Sequence, residues 1–134
     1  MDIGYSGSSS EKQVILMGVG NKSRLADIRV EDVFVNNNSL PSNVKIQVSN
    51  PLKGFIISSN FEGEEEKKYN FQDLKSVSIQ TKTERQKQFD KLSNGTATEK
   101  DTIYAISIGH HETIQKVRIK YRFLGLTFNK VIQI

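Results

Sequence analysis

Apolar and polar residues alternate with a period of two along most of this 134-residue chain. Successive side chains of a β-strand project to opposite faces, so the pattern predicts strands that are buried on one side. Asparagine, glycine, serine and proline separate the alternating stretches, and these residues favour turns or interrupt strand pairing. The pattern predicts seven strands, at 13–19, 28–35, 44–48, 75–81, 102–108, 113–123 and 126–134. Residues 52–58 are a candidate eighth strand.

The alternation changes phase once within a strand. Ile28 and Val30 share one parity, whereas Val33 and Val35 share the other. A β-bulge between the two pairs would return all four side chains to one face. Strict alternation would instead bring Asp32 toward the core, where a carboxylate needs a partner. The sequence therefore favours the bulge.

One short helix is predicted at 83–92. Thr83 and Gln86 have the spacing of a capping box, Phe89 and Leu92 share one face, and Gly95 can end the segment in a left-handed conformation. A helix this short needs a sheet to pack on. We expect it to be a crossover between strands of opposite sheets.

Chains with many evenly spaced strands close their cores as sandwiches or barrels. The predicted fold class is all-β, an antiparallel sandwich of seven to eight strands with one short crossover helix. Residues 13–134 are predicted to form a single domain. Residues 1–12 are rich in glycine and serine, which predicts a flexible N-terminal segment.

The strand order, the helical crossover, the strand 103–108 and the long final hairpin 117–134 resemble an immunoglobulin-like sandwich. The many asparagines, and 14 lysines against 5 arginines, resemble the extracytoplasmic domains of uncharacterised Gram-positive bacterial surface or lipoprotein-like proteins. The resemblance implies an extracytoplasmic location, with an N-terminal anchor or signal absent from this chain. The cysteine pair and core tryptophan of antibody domains are missing, so the resemblance carries over no functional residue.

Composition excludes several kinds of chemistry. The chain has no cysteine, which rules out disulfides, thiolate nucleophiles and Cys-ligated zinc. No stretch approaches the roughly 18 continuous apolar residues of a membrane-spanning helix.

Three segments superficially suggest a site. Residues 18–23 (GVGNKS) lack the glycine spacing of a phosphate-binding loop, and a strand follows them rather than a helix. His110 and His111 are adjacent, so in an extended chain their imidazoles would point to opposite sides and would not share a metal ion. The acidic run 62–66 lacks the pattern of a calcium loop. We predict no catalytic, cofactor-binding or metal-binding residue.

The one patterned charge feature lies in the last hairpin. Lys116, Arg118, Lys120 and Arg122 alternate with apolar residues, so the four cations are predicted on one strand face. They could bind an anionic partner such as a cell-wall polymer, a membrane surface or an acidic protein. They could equally be a solvated face that pairs with acids such as Glu31 on a neighbouring strand. Nucleic acid fits less well, because the aromatic residues of this strand face the other way.

These observations favour a non-enzymatic extracytoplasmic binding or interaction module of unknown specificity, with a candidate anionic partner on the four cations. The alternative is a structural spacer or assembly domain that acts through its sheet edges.

Overall fold

The computed structural model describes residues 1–58 and 61–134. Over these residues the chain forms two antiparallel sheets, one of five strands in the order β1-β2-β6-β4-β5 and one of three in the order β3-β7-β8. The strands are β1 (Asp2–Ser8), β2 (Val14–Gly20), β3 (Ile28–Val35), β4 (Asn43–Ser49), β5 (Asn70–Gln72), β6 (Ile103–Gly109), β7 (Lys116–Phe123) and β8 (Leu126–Gln133). Helix α1 spans Arg85–Ser93, and single 3-10 turns span Glu66–Lys68 and Leu74–Ser76. The prediction of an all-β antiparallel sandwich with one short helix is confirmed.

The core lies between the two sheets and consists of the apolar side chains that the period of two places inward. Cross-strand neighbours in the five-stranded sheet, such as Met17 and Ile106, are fully buried. Val117 and Ile119 of β7 are equally buried on the facing sheet. Each such side chain contributes about 1.5–3 kcal/mol of burial free energy. The sequence predicts ten inward-facing residues: Val44, Ile46, Val48, Val77, Ile79, Ile106, Ile108, Val117, Ile119 and Tyr121. Eight of them are buried, and Val44 and Val48 are partly buried.

The bulge predicted in the strand at 28–35, which is β3 of the structure, is present. The register of β3 against β7 shifts between Val30 and Asp32, so Glu31 is the extra residue. Because of this shift, the apolar side chains on both sides of the bulge are buried in the core. The prediction is confirmed.

The prediction that residues 1–12 are a flexible segment is wrong. Residues 2–8 form β1, which pairs with β2 from Asp2 opposite Gly20 to Ser8 opposite Ile15. The small residues serve packing rather than flexibility, because a Cβ at Gly4 would lie 2.5 Å from Nη1 of Arg85. Glycine therefore lets the arginine of α1 lie close against this sheet.

Three other strand predictions need correction. In 75–81 the backbone makes only an isolated bridge, between Ile79 and Ile28 of β3, although Val77 and Ile79 are buried as expected. The strand predicted at 113–123 begins only at Lys116. The three-residue strand β5 lies in a stretch where no strand was predicted.

The candidate eighth strand at 52–58 is not a strand. A buried side chain, Gln47 of β4, replaces the missing backbone ladder. Its Nε2 donates to the carbonyl of Ile56 (2.7 Å) and to Oγ of Ser107 (2.8 Å), and its Oε1 accepts from the N–H of Ile56 (3.1 Å). One amide thus fastens this segment to the outer face of the five-stranded sheet.

The helix is where the sequence predicts it, but Thr83 is not its cap. The N-cap residue is Glu84, whose side chain makes no cap hydrogen bond; Oδ2 of Asp2 in β1 instead accepts from the N–H of Arg85, the first helical residue (2.7 Å). Thr83 is buried, where its Oγ1 accepts from the N–H of Asn21 (3.0 Å) and donates to the carbonyl of Gln80 (2.8 Å). The hydroxyl therefore joins the end of β2 to the chain entering α1.

We expect Thr83→Val to lower the free energy of unfolding by about 1–3 kcal/mol, because the buried N–H of Asn21 loses its acceptor. The far-ultraviolet circular dichroism of the helix should be unchanged, since the residue is not a cap. Urea unfolding measures the difference. Thr127→Val on the exposed strand β8 is the control, expected within about 0.5 kcal/mol of wild type. Equal stability of the two variants would contradict the assignment.

Candidate functional site

The four predicted cations lie on the outer face of the three-stranded sheet. They project from β7, the central strand, whose alternate residues Val117, Ile119 and Tyr121 are buried in the core. On the neighbouring strand β3, Arg29 lies opposite Arg122 and Asp32 lies opposite Lys120. We call the outward side chains of β3 and β7 the basic face; its charged members are Arg29, Glu31, Asp32, Lys116, Arg118, Lys120 and Arg122.

Glu31 pairs with two of these cations. Its Oε2 lies 3.7 Å from Nζ of Lys120, and its Oε1 lies 3.5 Å from Nε of Arg122. The bulge places this carboxylate on the outer face, where it reduces the repulsion between the two cations. The sequence predicts this pairing with Glu31 as the alternative to a binding role for the four cations.

Arg118 is held by neutral groups. Its guanidinium lies over the ring of Phe34, with Cζ 4.3 Å from the ring centroid. Its Nε donates to Oδ1 of Asn38 (3.0 Å), and its Nη1 donates to Oδ1 of Asn129 (2.7 Å). These hydrogen bonds use two of the five N–H donors of the guanidinium. They fix its orientation without neutralising its charge.

The basic face therefore keeps a positive balance. It has five cations and two carboxylates, a net charge of +3. Arg29 also donates to the carbonyl of Lys75 (2.9 Å) and to Oγ of Ser78 (3.1 Å), so a second guanidinium is anchored by neutral acceptors. Sequence reasoning missed Arg29, because its place beside β7 depends on strand pairing.

A second concave feature lies on the other sheet, beneath α1. A groove of about 300 Å³ runs between the helix and the segment fastened by Gln47. Phe55, Phe89 and Leu92 line it, and Gly18 lies at its base. Oε1 of Gln88 is buried next to this groove with no hydrogen-bond partner in the described part of the chain. Unsatisfied buried acceptors are uncommon and reduce stability.

The prediction that the imidazoles of His110 and His111 point to opposite sides of an extended chain is wrong. The chain bends at residues 111 and 112, directly after β6 ends at Gly109, so it is not extended there. The rings of His110 and His111 lie side by side, tilted by 58°, with their centroids 4.3 Å apart. Burial, together with neighbouring His111, lowers the pKa of His110.

Comparison of the chain with protein-family models, with curated proteins and with solved structures finds no match. Among the described residues, no helix is both long and apolar enough to cross a lipid bilayer.

We expect Gln88→Leu to leave stability unchanged or to raise the free energy of unfolding by up to about 1 kcal/mol. The substitution removes a buried acceptor whose unsatisfied state costs about 1–3 kcal/mol, while leucine is an equally good helix former. Thermal and urea unfolding test this. Gln86→Leu, on the exposed side of α1, is the control. Destabilisation of Gln88→Leu beyond that of the control would show that the Gln88 amide is satisfied in solution.

Proposed function

We propose that this protein is a non-enzymatic binding module whose basic face holds a polyanionic, phosphate-rich polymer of the cell wall. The observation that carries the proposal is the excess of cations over carboxylates on one sheet face, with Arg118 fixed by an aromatic ring and two asparagines. A fixed guanidinium loses little conformational entropy when it binds a phosphate oxygen.

The spacing of the cations suits a linear polyanion better than a single small anion. Alternate residues of a strand stand roughly 6.5–7 Å apart, within the ~8 Å screening length at physiological salt, so their potentials add. A polymer lying along β7 would displace counterions from several phosphates at once. Binding is then expected to weaken steeply as salt is raised.

The proposal includes an extracytoplasmic location and an immunoglobulin-like sandwich. A chain without cysteine is compatible with exposure outside the cell. The two packed antiparallel sheets support the sandwich part of the resemblance. The lysine- and asparagine-rich composition, which resembles that of Gram-positive surface domains, supports the location.

The test is binding of poly(glycerol phosphate) to the tag-free chain over a range of salt concentrations. We expect salt-sensitive binding that is abolished when Lys116, Arg118, Lys120 and Arg122 are all changed to glutamine. The matched control changes the exposed residues Lys67, Lys68, Lys87 and Lys100 to glutamine, which removes the same charge from other surfaces. Equal loss in both variants, or no binding by wild type at low salt, overturns the proposal. Preferential binding to anionic vesicles would indicate a membrane surface instead.

Glu31→Gln gives a change of opposite sign. It raises the net charge of the basic face by one unit, so affinity for the polymer should increase and its salt dependence should steepen. Stability should change little, since partly exposed ion pairs contribute about 0–1 kcal/mol. Titration of the polymer at two salt concentrations measures both effects. Weaker binding by this variant would argue against an anionic ligand on the basic face.

The free edge of β8 favours a second candidate function, assembly through sheet edges. This edge strand is eight residues long, almost entirely exposed, and carries a single cation, Lys130. Long exposed edges can pair with another strand. If the domain assembles this way, wild type should dimerise with increasing concentration and Thr127→Lys/Val131→Lys should remain monomeric. Sedimentation of both proteins measures this, and a monomer at all concentrations rejects the alternative.

A further inference from the structure

The connection between β6 and β7, residues 110–115, carries a cluster of side chains that the proposed function does not use. His110, His111 and Glu112 each offer one ligand atom, and these atoms lie within 4.8 Å of one another. His110 is 8% exposed, and its Nδ1 is buried without a hydrogen-bond partner in the described ranges of the chain. A buried imidazole nitrogen without a protein partner is explained by a bound water, a ligand or an ion.

We propose that His110, His111 and Glu112 form a binding site for a divalent transition-metal cation of the zinc class. Two imidazole nitrogens and one carboxylate oxygen are the donor set of zinc sites that keep a coordination position open to water. Hard cations such as Ca²⁺ prefer an all-oxygen set, which this cluster does not provide.

The backbone of the connection is fixed by hydrogen bonds to the loop that precedes β2. The N–H of His110 donates to the carbonyl of Gln13, and the N–H of Ile114 donates to the carbonyl of Lys12, both at 2.8 Å. Nε2 of Gln13 donates back to the carbonyl of His111 (3.2 Å). Ile114 is fully buried in the core. The ligand-bearing segment is thus held at both ends, which lowers the entropic cost of binding an ion.

Only a small side-chain adjustment is needed to close the site. Zinc ligands lie about 2.0–2.2 Å from the metal, so donor atoms around one ion approach each other more closely than 4.8 Å. His111 Nε2 and Glu112 Oε1 are already 3.9 Å apart, and both side chains are 70% exposed and free to rotate. His110 is the fixed ligand onto which the other two close. A hollow of about 180 Å³, lined in part by Gln13, Ser42 and both histidines, leaves room beside the rings for water.

The pairing of His111 with Glu112 has a simpler explanation, a surface ion pair formed when the imidazole is protonated. That explanation leaves Nδ1 of His110 without a partner in the described part of the chain. A shared ion would account for this nitrogen as well as for the approach of His111 to Glu112.

The test is calorimetric titration of the tag-free chain with Zn²⁺, followed by histidine NMR signals. We expect one ion per chain, with perturbation of both imidazoles. His111→Ala and Glu112→Gln are exposed substitutions that should leave the fold intact and weaken binding at least about tenfold, since even loss of an outer-shell partner costs 10–100-fold. Glu99→Gln is the matched control, because Glu99 precedes β6 and lies at the opposite end of that strand.

Absence of binding at millimolar Zn²⁺ would overturn the proposal. So would binding that both ligand variants retain at wild-type affinity, because the ion would then lie elsewhere. A zinc-dependent rise in unfolding temperature that is present in Glu99→Gln and lost in His111→Ala would support the site by a second measurement.

Discussion

The extra residue at Glu31 lets the two halves of β3 present their apolar side chains to the same core. Without the bulge, either Ile28 and Val30 or Val33 and Val35 would face water, and the three-stranded sheet would lose half of that strand's contribution to the core. The same bulge turns the carboxylate of Glu31 outward between Lys120 and Arg122. One irregularity therefore secures the inter-sheet core and sets the charge balance of the basic face.

The outer face of the five-stranded sheet is covered by other parts of the chain. Many of its residues are small or polar, although Leu16 and Ile103 also lie on it, and α1 and the segment held by Gln47 cover them. A Cβ at Gly20 would collide with the carbonyl oxygen of Thr83, and one at Gly18 would lie 2.8 Å from Nε of Arg85. Thr83 and Arg85 can therefore lie this close to the sheet only because residues 18 and 20 are glycines. The three-stranded sheet has no comparable cover among the described residues, and its charged face remains open.

Most strands with one buried face could be predicted because their apolar residues recur at every second position. The bulge could be predicted because the phase of this period changes within one strand. β1 could not, since its glycines and serines also suit a flexible linker and its place depends on Arg85, far along the chain. The same holds for 52–58, whose partner is the side chain of Gln47 rather than a strand. Long-range side-chain contacts therefore decided the structure of these two segments.

The two candidate sites depend on different physics, the coordination of one ion at the first and the summed surface charge of a strand at the second. A cation bound at Glu112 would add positive charge close to Lys116, at the start of β7. Arg122 lies roughly 20 Å further along that strand, more than two screening lengths at physiological salt. The far end of the basic face would therefore be largely screened from the bound ion. Because the backbone hydrogen bonds of His110 and Ile114 hold the bend, we expect a change of charge on β7 to leave these candidate ligands in position.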